Sequence, residues 1–167
     1  MKVREKSYRS IWLAEDGRHV EIIDQTRLPH EFVIVSLATL DDAAHAIREM
    51  LVRGAPLIGA AAAYGMCLGL GQGASDADID RVAGTLIACR PTAVNLRWAV
   101  QRMSEALLPV REDDRIKAAY AEAGRICEED VAVNEAIGTH GLKCIEEAWK
   151  RKGESGEVRI LTHCNAG

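Results

Sequence analysis

The chain has 167 residues, 48% of them apolar and 28% charged, a balance that excludes a disordered or fibrous protein. That length fits one good core, or one domain and the beginning of another, because domains run to about 100–150 residues. A net charge of -4 without a concentrated basic face argues against nucleic acid as a partner, although two or three well-placed arginines can still hold a small phosphorylated molecule.

Aromatic residues make up only 4% of the chain, so the core must come from Ala, Val, Ile and Leu, which favours closely packed helices. Five cysteines, Cys67, Cys89, Cys127, Cys144 and Cys164, are never closer than 17 residues, which gives no CxxC pair and suits a reducing compartment such as the cytoplasm. Met1 to Lys6 is mixed in charge with no apolar run after it, so it does not read as a secretory signal.

Tyr8–Leu13 and His19–Ile23 flank an Asp16-Gly17 turn and predict a hairpin. Arg27-Leu28-Pro29 reads as a turn, and Phe32–Leu37 is β-branched enough for a third strand. Thr39 offers an N-cap, with Asp41 and Asp42 in the first turn. Ala43, Ala44, Ile47, Met50 and Leu51 then recur at helical spacing up to Gly54, which would end the helix.

Pro56 can open the next helix, where its missing N–H costs nothing. The stretch from Ala55 to Leu70 falls short of the roughly 20 apolar residues a bilayer needs, and its small residues on every face predict a central buried helix. Ser75 can cap a helix carrying Ile79, Val82, Leu86 and Ile87. Arg90-Pro91-Thr92 interrupts, and Thr92 can cap a helix from Ala93 to Leu108 that Pro109 ends.

Glu112–Lys152 is helical in pattern, with Gly138 and Gly141 predicting a break into two helices. Gly153–Gly156 is a hydrophilic linker, and Val158–Thr162 reads as a strand. These elements predict an α+β domain over residues 1–152, a small antiparallel β piece plus a helical bundle. Residues 153–167 are then a linker and the first strand of an α/β domain.

Chemistry could sit in three places. At Arg53-Gly54-Ala55-Pro56 the free N–H groups of a helix start lie beside a bidentate cation, which makes an anion site; the plain alternative is a helix–helix turn with a solvated arginine. Arg90-Pro91-Thr92-Ala93-Val94-Asn95 repeats that arrangement, with Arg90 as a surface residue being the plain alternative. Thr162-His163-Cys164-Asn165-Ala166-Gly167 follows a predicted strand end, where ligands bind in open α/β sheets. Cys164 would be a reactive thiol there, whereas Cys67, Cys89, Cys127 and Cys144 fall on apolar helical stretches and read as small core fillers.

In this order, Arg53-Gly54-Ala55-Pro56-Leu57-Ile58-Gly59, Arg90-Pro91-Thr92-Ala93-Val94-Asn95-Leu96 and Thr162-His163-Cys164-Asn165-Ala166-Gly167 resemble the successive signatures of the methylthioribose-1-phosphate isomerase family. The resemblance implies an aldose–ketose isomerase of methionine salvage that uses no metal or organic cofactor and acts as a homodimer. It implies substrate contacts at Arg53, Gly54, Ala55 and Arg90, and an active-site cysteine at Cys164. Family members continue for about as long again through a Rossmann-like domain that supplies the acid, an aspartate, so the resemblance covers the N-terminal portion and implies that 167 residues alone are inactive. Arg97 departs from the family, where an aromatic residue is frequent. The same fold also resembles the regulatory subunits of the translation-initiation guanine-nucleotide exchange factor, which bind partners instead of turning over substrate, and a related ribose 1,5-bisphosphate isomerase.

Overall fold

The computed structural model describes residues 2, 3 and 5–162. Two short strands at the start, β1 (Lys2–Val3) and β2 (Lys6–Ser7), pair antiparallel and had no signal in the sequence. The predicted hairpin forms from β3 (Ile11–Leu13) and β4 (Val20–Ile23), with Ile11 opposite Ile22 and Leu13 opposite Val20. Its turn is held by Asp16, whose carboxylate accepts from the backbone N–H groups of Arg18 and His19 and pairs with the His19 ring, while Gly17 takes a φ of 67°. The third strand, β5 (Ile34–Leu37), pairs antiparallel with β4, which is therefore central and almost wholly buried.

Helix α1 (Leu40–Arg48) starts as the sequence predicts: Thr39 and Asp42 form a reciprocal capping box. It does not run on to Gly54. Met50 adopts a left-handed φ of 58°, and the Leu51 N–H donates back to the Ala46 carbonyl at 2.9 Å, a closure that ends the helix and leaves Gly54 to begin the next. Helix α2 (Ala55–Leu70) is buried continuously from Ile58 onward, the central element that its small side chains predict. A second capping box, Ser75 with Asp78, starts α3 (Asp76–Cys89). Helix α4 (Val94–Leu107) buries Leu96, Ala99, Val100, Met103 and Leu107 on one stripe.

Helix α5 (Glu112–Arg151) is continuous over 40 residues, so the predicted break at Gly138 and Gly141 does not occur. Two interior glycines cost about 1 kcal/mol each against alanine, too little to stop a helix favoured on both sides. Residues 158–162 are exposed and have no ladder partner among the described residues. Two compact units divide the chain, residues 1–126 and residues 127–167. No helix among the described residues is long and apolar enough to cross a membrane.

Contacts at the glycines of α2 give the direction of packing. Gly65 faces Leu86 and Ala43, and Gly69 faces Val82 and Leu40, so α1 and α3 both run antiparallel to α2. At the far end of α2 a buried cation ties two loops together. Arg115 donates to the carbonyls of Ala74 at 2.8 Å, Val110 at 3.0 Å and Leu108 at 3.1 Å, and it pairs with Asp76 at 2.6 Å.

Two outcomes follow from this packing. A methyl group on Gly69 would lie 2.7 Å from Val82, so Gly69→Ala should lower stability in urea by about 1–3 kcal/mol through overpacking. Hydrogen bonds hold three carboxyls below their usual range: Asp16, from the His19 side chain first, to about 2; Asp42, from the Ala38 N–H first; and Asp78, from Ser75 first. Folded-state values below the unfolded ones mean that this stabilisation is present above about pH 4 and is lost as pH falls through the folded values. The thermal midpoint should therefore drop on acidification below pH ~4, and the combined variant Asp42→Asn, Asp78→Asn should show a shallower acid limb.

Candidate functional site

All four candidate residues in the described part of the chain lie at the end of the helical bundle where α2 begins. Since α1 and α3 run antiparallel to α2, their last residues, Arg48 and Cys89, are carried to that end, and Arg90 follows. The Arg48 guanidinium lies 3.7 Å from the Cys89 sulfur, which fixes the two helix ends beside each other. Helix α4 starts four residues after Arg90. Its Asn95 carbonyl would lie 3.1 Å from a methyl group placed on Gly59, one turn into α2, so the starts of α2 and α4 meet because Gly59 has no side chain. Arg53, Gly54, Ala55 and Arg90 thus share one surface although 37 residues separate the two arginines.

The two helix starts differ from the others in one respect. Full capping boxes satisfy α1 and α3, whereas neither α2, whose N-cap is Gly54, nor α4, whose N-cap is Ala93, has a side-chain cap. Thr92, expected to cap α4, lies one residue too early. Backbone N–H groups at both starts are left to solvent or to a ligand, and they carry the positive ends of two helix dipoles.

Gly54 holds φ 96° and ψ 134°, a conformation closed to side chains, and this brings the chain round from Arg53 into α2. Arg53 is exposed and Arg90 half-buried, and among the described residues neither guanidinium forms an ion pair or a hydrogen bond. Arg97, on the first turn of α4, instead spends one nitrogen on the Pro91 carbonyl at 3.3 Å and braces the turn after Arg90. Arginines near the ends of α1 and α3 also favour those helix dipoles by about 0.3–1 kcal/mol each, which accounts for Arg48 and Arg90 structurally in the absence of a ligand.

The arrangement suits an anion with several oxygens: two uncommitted guanidiniums and two sets of free N–H groups converge, and no carboxylate pairs with either arginine. Arg48 escaped sequence reasoning because nothing in its own segment marks it; only the antiparallel packing of α1 and α3 brings it to Cys89. Cys164 and His163 lie outside the described residues. Of the cysteines read as core fillers, Cys67 is buried and Cys89 and Cys127 are half-buried, but Cys144 is exposed, because it sits on a part of α5 whose apolar side chains are not covered.

Residues 51–167 match the Initiation factor 2 subunit family, a span that begins just before Arg53 and contains every candidate residue. The chain belongs to that family. Within it, the chain is 57% identical over its whole length to a methylthioribose-1-phosphate isomerase of Rhodospirillum rubrum, of which it covers 44%. Its fold is similar to that of the 5-methylthioribose 1-phosphate isomerase from Pyrococcus horikoshii OT3, with a TM-score of 0.75 and 32% identity over 83% of this chain and 41% of the other. It is also similar to the translation initiation factor eIF-2B subunit delta from A. fulgidus, with a TM-score of 0.69 and 32% identity over 75% of this chain and 38% of the other. The chain spans less than half the length of these curated isomerases and solved structures.

The uncapped starts make one outcome specific to this Initiation factor 2 family surface. Gly54→Ala forces a side chain into a glycine-only conformation and should cost about 1–3 kcal/mol in urea unfolding. Thr92→Ala should leave stability within about 0.5 kcal/mol, because Thr92 caps nothing.

Proposed function

We propose that this chain is the phosphate-holding half of a methylthioribose-1-phosphate isomerase. The observation that carries the reading is the convergence of two uncapped helix starts with the unpaired Arg53 and Arg90. The names of relatives more than 50% identical across the whole chain support it.

On this reading the Gly54 and Ala55 region, Arg53 and Arg90 bind the phosphate, and Cys164 sits against the sugar at the end of the 153–167 segment, where a second, Rossmann-like domain begins. The substrate is a furanose whose anomeric oxygen carries the phosphate, so its ring cannot open as a free sugar's does. An acid must help the ring oxygen leave while a hydrogen moves from C2 to C1, and that acid, an aspartate, belongs to the half that the longer relatives carry. Fixing the phosphate between two guanidiniums holds C1 and C2 in place for this step and keeps the intermediate bound. Cys164 serves beside the migrating hydrogen, as thiolate base or as charge stabiliser. The complete enzyme works as a homodimer and needs no metal.

The test joins this chain at Gly167 to the remaining residues of the Rhodospirillum rubrum isomerase and assays conversion of 5-methylthioribose 1-phosphate to the ribulose phosphate. Arg90→Ala should lower kcat/KM by about 10–100-fold, the worth of one charged hydrogen bond, and Cys164→Ala by about 100-fold or more. The 167-residue chain alone should show none. Full turnover in both variants would sink the assignment of residues, and absence of turnover in a folded fusion would favour a regulatory role.

A further inference from the structure

Beyond Ile126, α5 is amphipathic with nothing on its apolar side. Ile137, Leu142, Ile145 and Trp149 are 63%, 54%, 36% and 38% exposed, although all four are residues that cores normally cover. At 100° per residue they fall, together with Gly138 and Gly141, within an arc of about 140°, the width of a helix face that meets a core. Glu135, Lys143, Glu146, Glu147 and Lys150 occupy the opposite side. A methyl group on Gly138 or Gly141 would touch nothing, so the backbone there is open to close approach. The same unit adds Ile160 and Leu161, 69% and 98% exposed. Apolar area of this extent on one face marks an interface.

Relatives 52–57% identical to this chain match it from end to end and carry more polypeptide than the match itself, since the chain covers 44–46% of them. In those proteins the additional chain begins next to this unit in sequence, and a short connection makes docking on α5 cheap in loop entropy. We infer that the apolar face of α5 between Ile137 and Trp149 is the docking face for the polypeptide that lies beyond the matched segment in these relatives. It packs there through its own apolar residues, with Gly138 and Gly141 at the point of closest approach. This identification of the occupant rests on the isomerase reading, but the docking itself is measurable without turnover.

Hydrogen exchange on the fusion described above, against the 167-residue chain, tests it. Amides of residues 135–149 should exchange at least ~10-fold more slowly in the fusion, with the amides of α2 as an unchanged internal reference. Ile137→Asp combined with Ile145→Asp should abolish that slowing and leave the helix content of the 167-residue chain as it was. The intact Rhodospirillum rubrum isomerase compared with its own first half provides the same measurement where the fusion does not fold. Equal exchange with and without the second half overturns the proposal. Slowing that grows with concentration in the 167-residue chain alone assigns the face to a second copy and also overturns it. Protection without turnover would sink the isomerase reading and uphold the docking; turnover with an unprotected α5 would do the reverse.

Discussion

Close approach to α2 is the constraint on which the rest of the helical unit depends. Its glycines are contact points: the space that a methyl group would need at Gly59, Gly65 and Gly69 is taken by the Asn95 carbonyl, by Leu86 with Ala43, and by Val82. Backbones that come this near bury Ala and Gly surface that larger side chains would hold apart, which is how a chain with so few aromatic residues reaches a dense core. The cost is sensitivity, because one added methyl group at these places has no free space to enter.

Function inherits that constraint. The meeting of Gly59 with Asn95 sets the start of α4 against the start of α2, and the antiparallel run of α1 and α3 delivers Arg48 and Arg90 to the same end. At the other end, Arg115 satisfies three loop carbonyls and Asp76, so the loops that turn α2 into α3 and α4 into α5 are held without a large apolar contact. One end of the bundle is therefore closed by an internal cation, while the end with the candidate site keeps its cations and N–H groups uncommitted. Capping follows the same division, with full boxes at the starts of α1 and α3 and none at the site. In a protein that binds an oxyanion, the ligand takes the place of the missing caps.

Much of this was legible from local chemistry. Thr39 with Asp42 and Ser75 with Asp78 announce helix starts three residues apart, Asp16-Gly17 announces the hairpin, and Ala55–Leu70 announces burial. Local signals failed where a neighbour decides. Met50 ends α1 in a left-handed conformation that no methionine advertises, Ala93 displaces Thr92 as the start of α4, and Gly138 and Gly141 ride inside a continuous helix because the residues around them favour it. Cys144 read as core because its helix face is apolar, and it is exposed because nothing covers that face within the described residues.

By itself, then, the sequence determined which segments become helices and strands, which helix is central, and which short motifs carry cations beside helix starts, because each of these depends on residues a few positions apart. Only the tertiary structure decided that Arg53 and Arg90 share a surface, that Arg48 joins Cys89 there, and that both helix starts at the site are uncapped. These are facts about residues tens of positions apart, brought together by antiparallel packing on one smooth helix, and no local pattern encodes them.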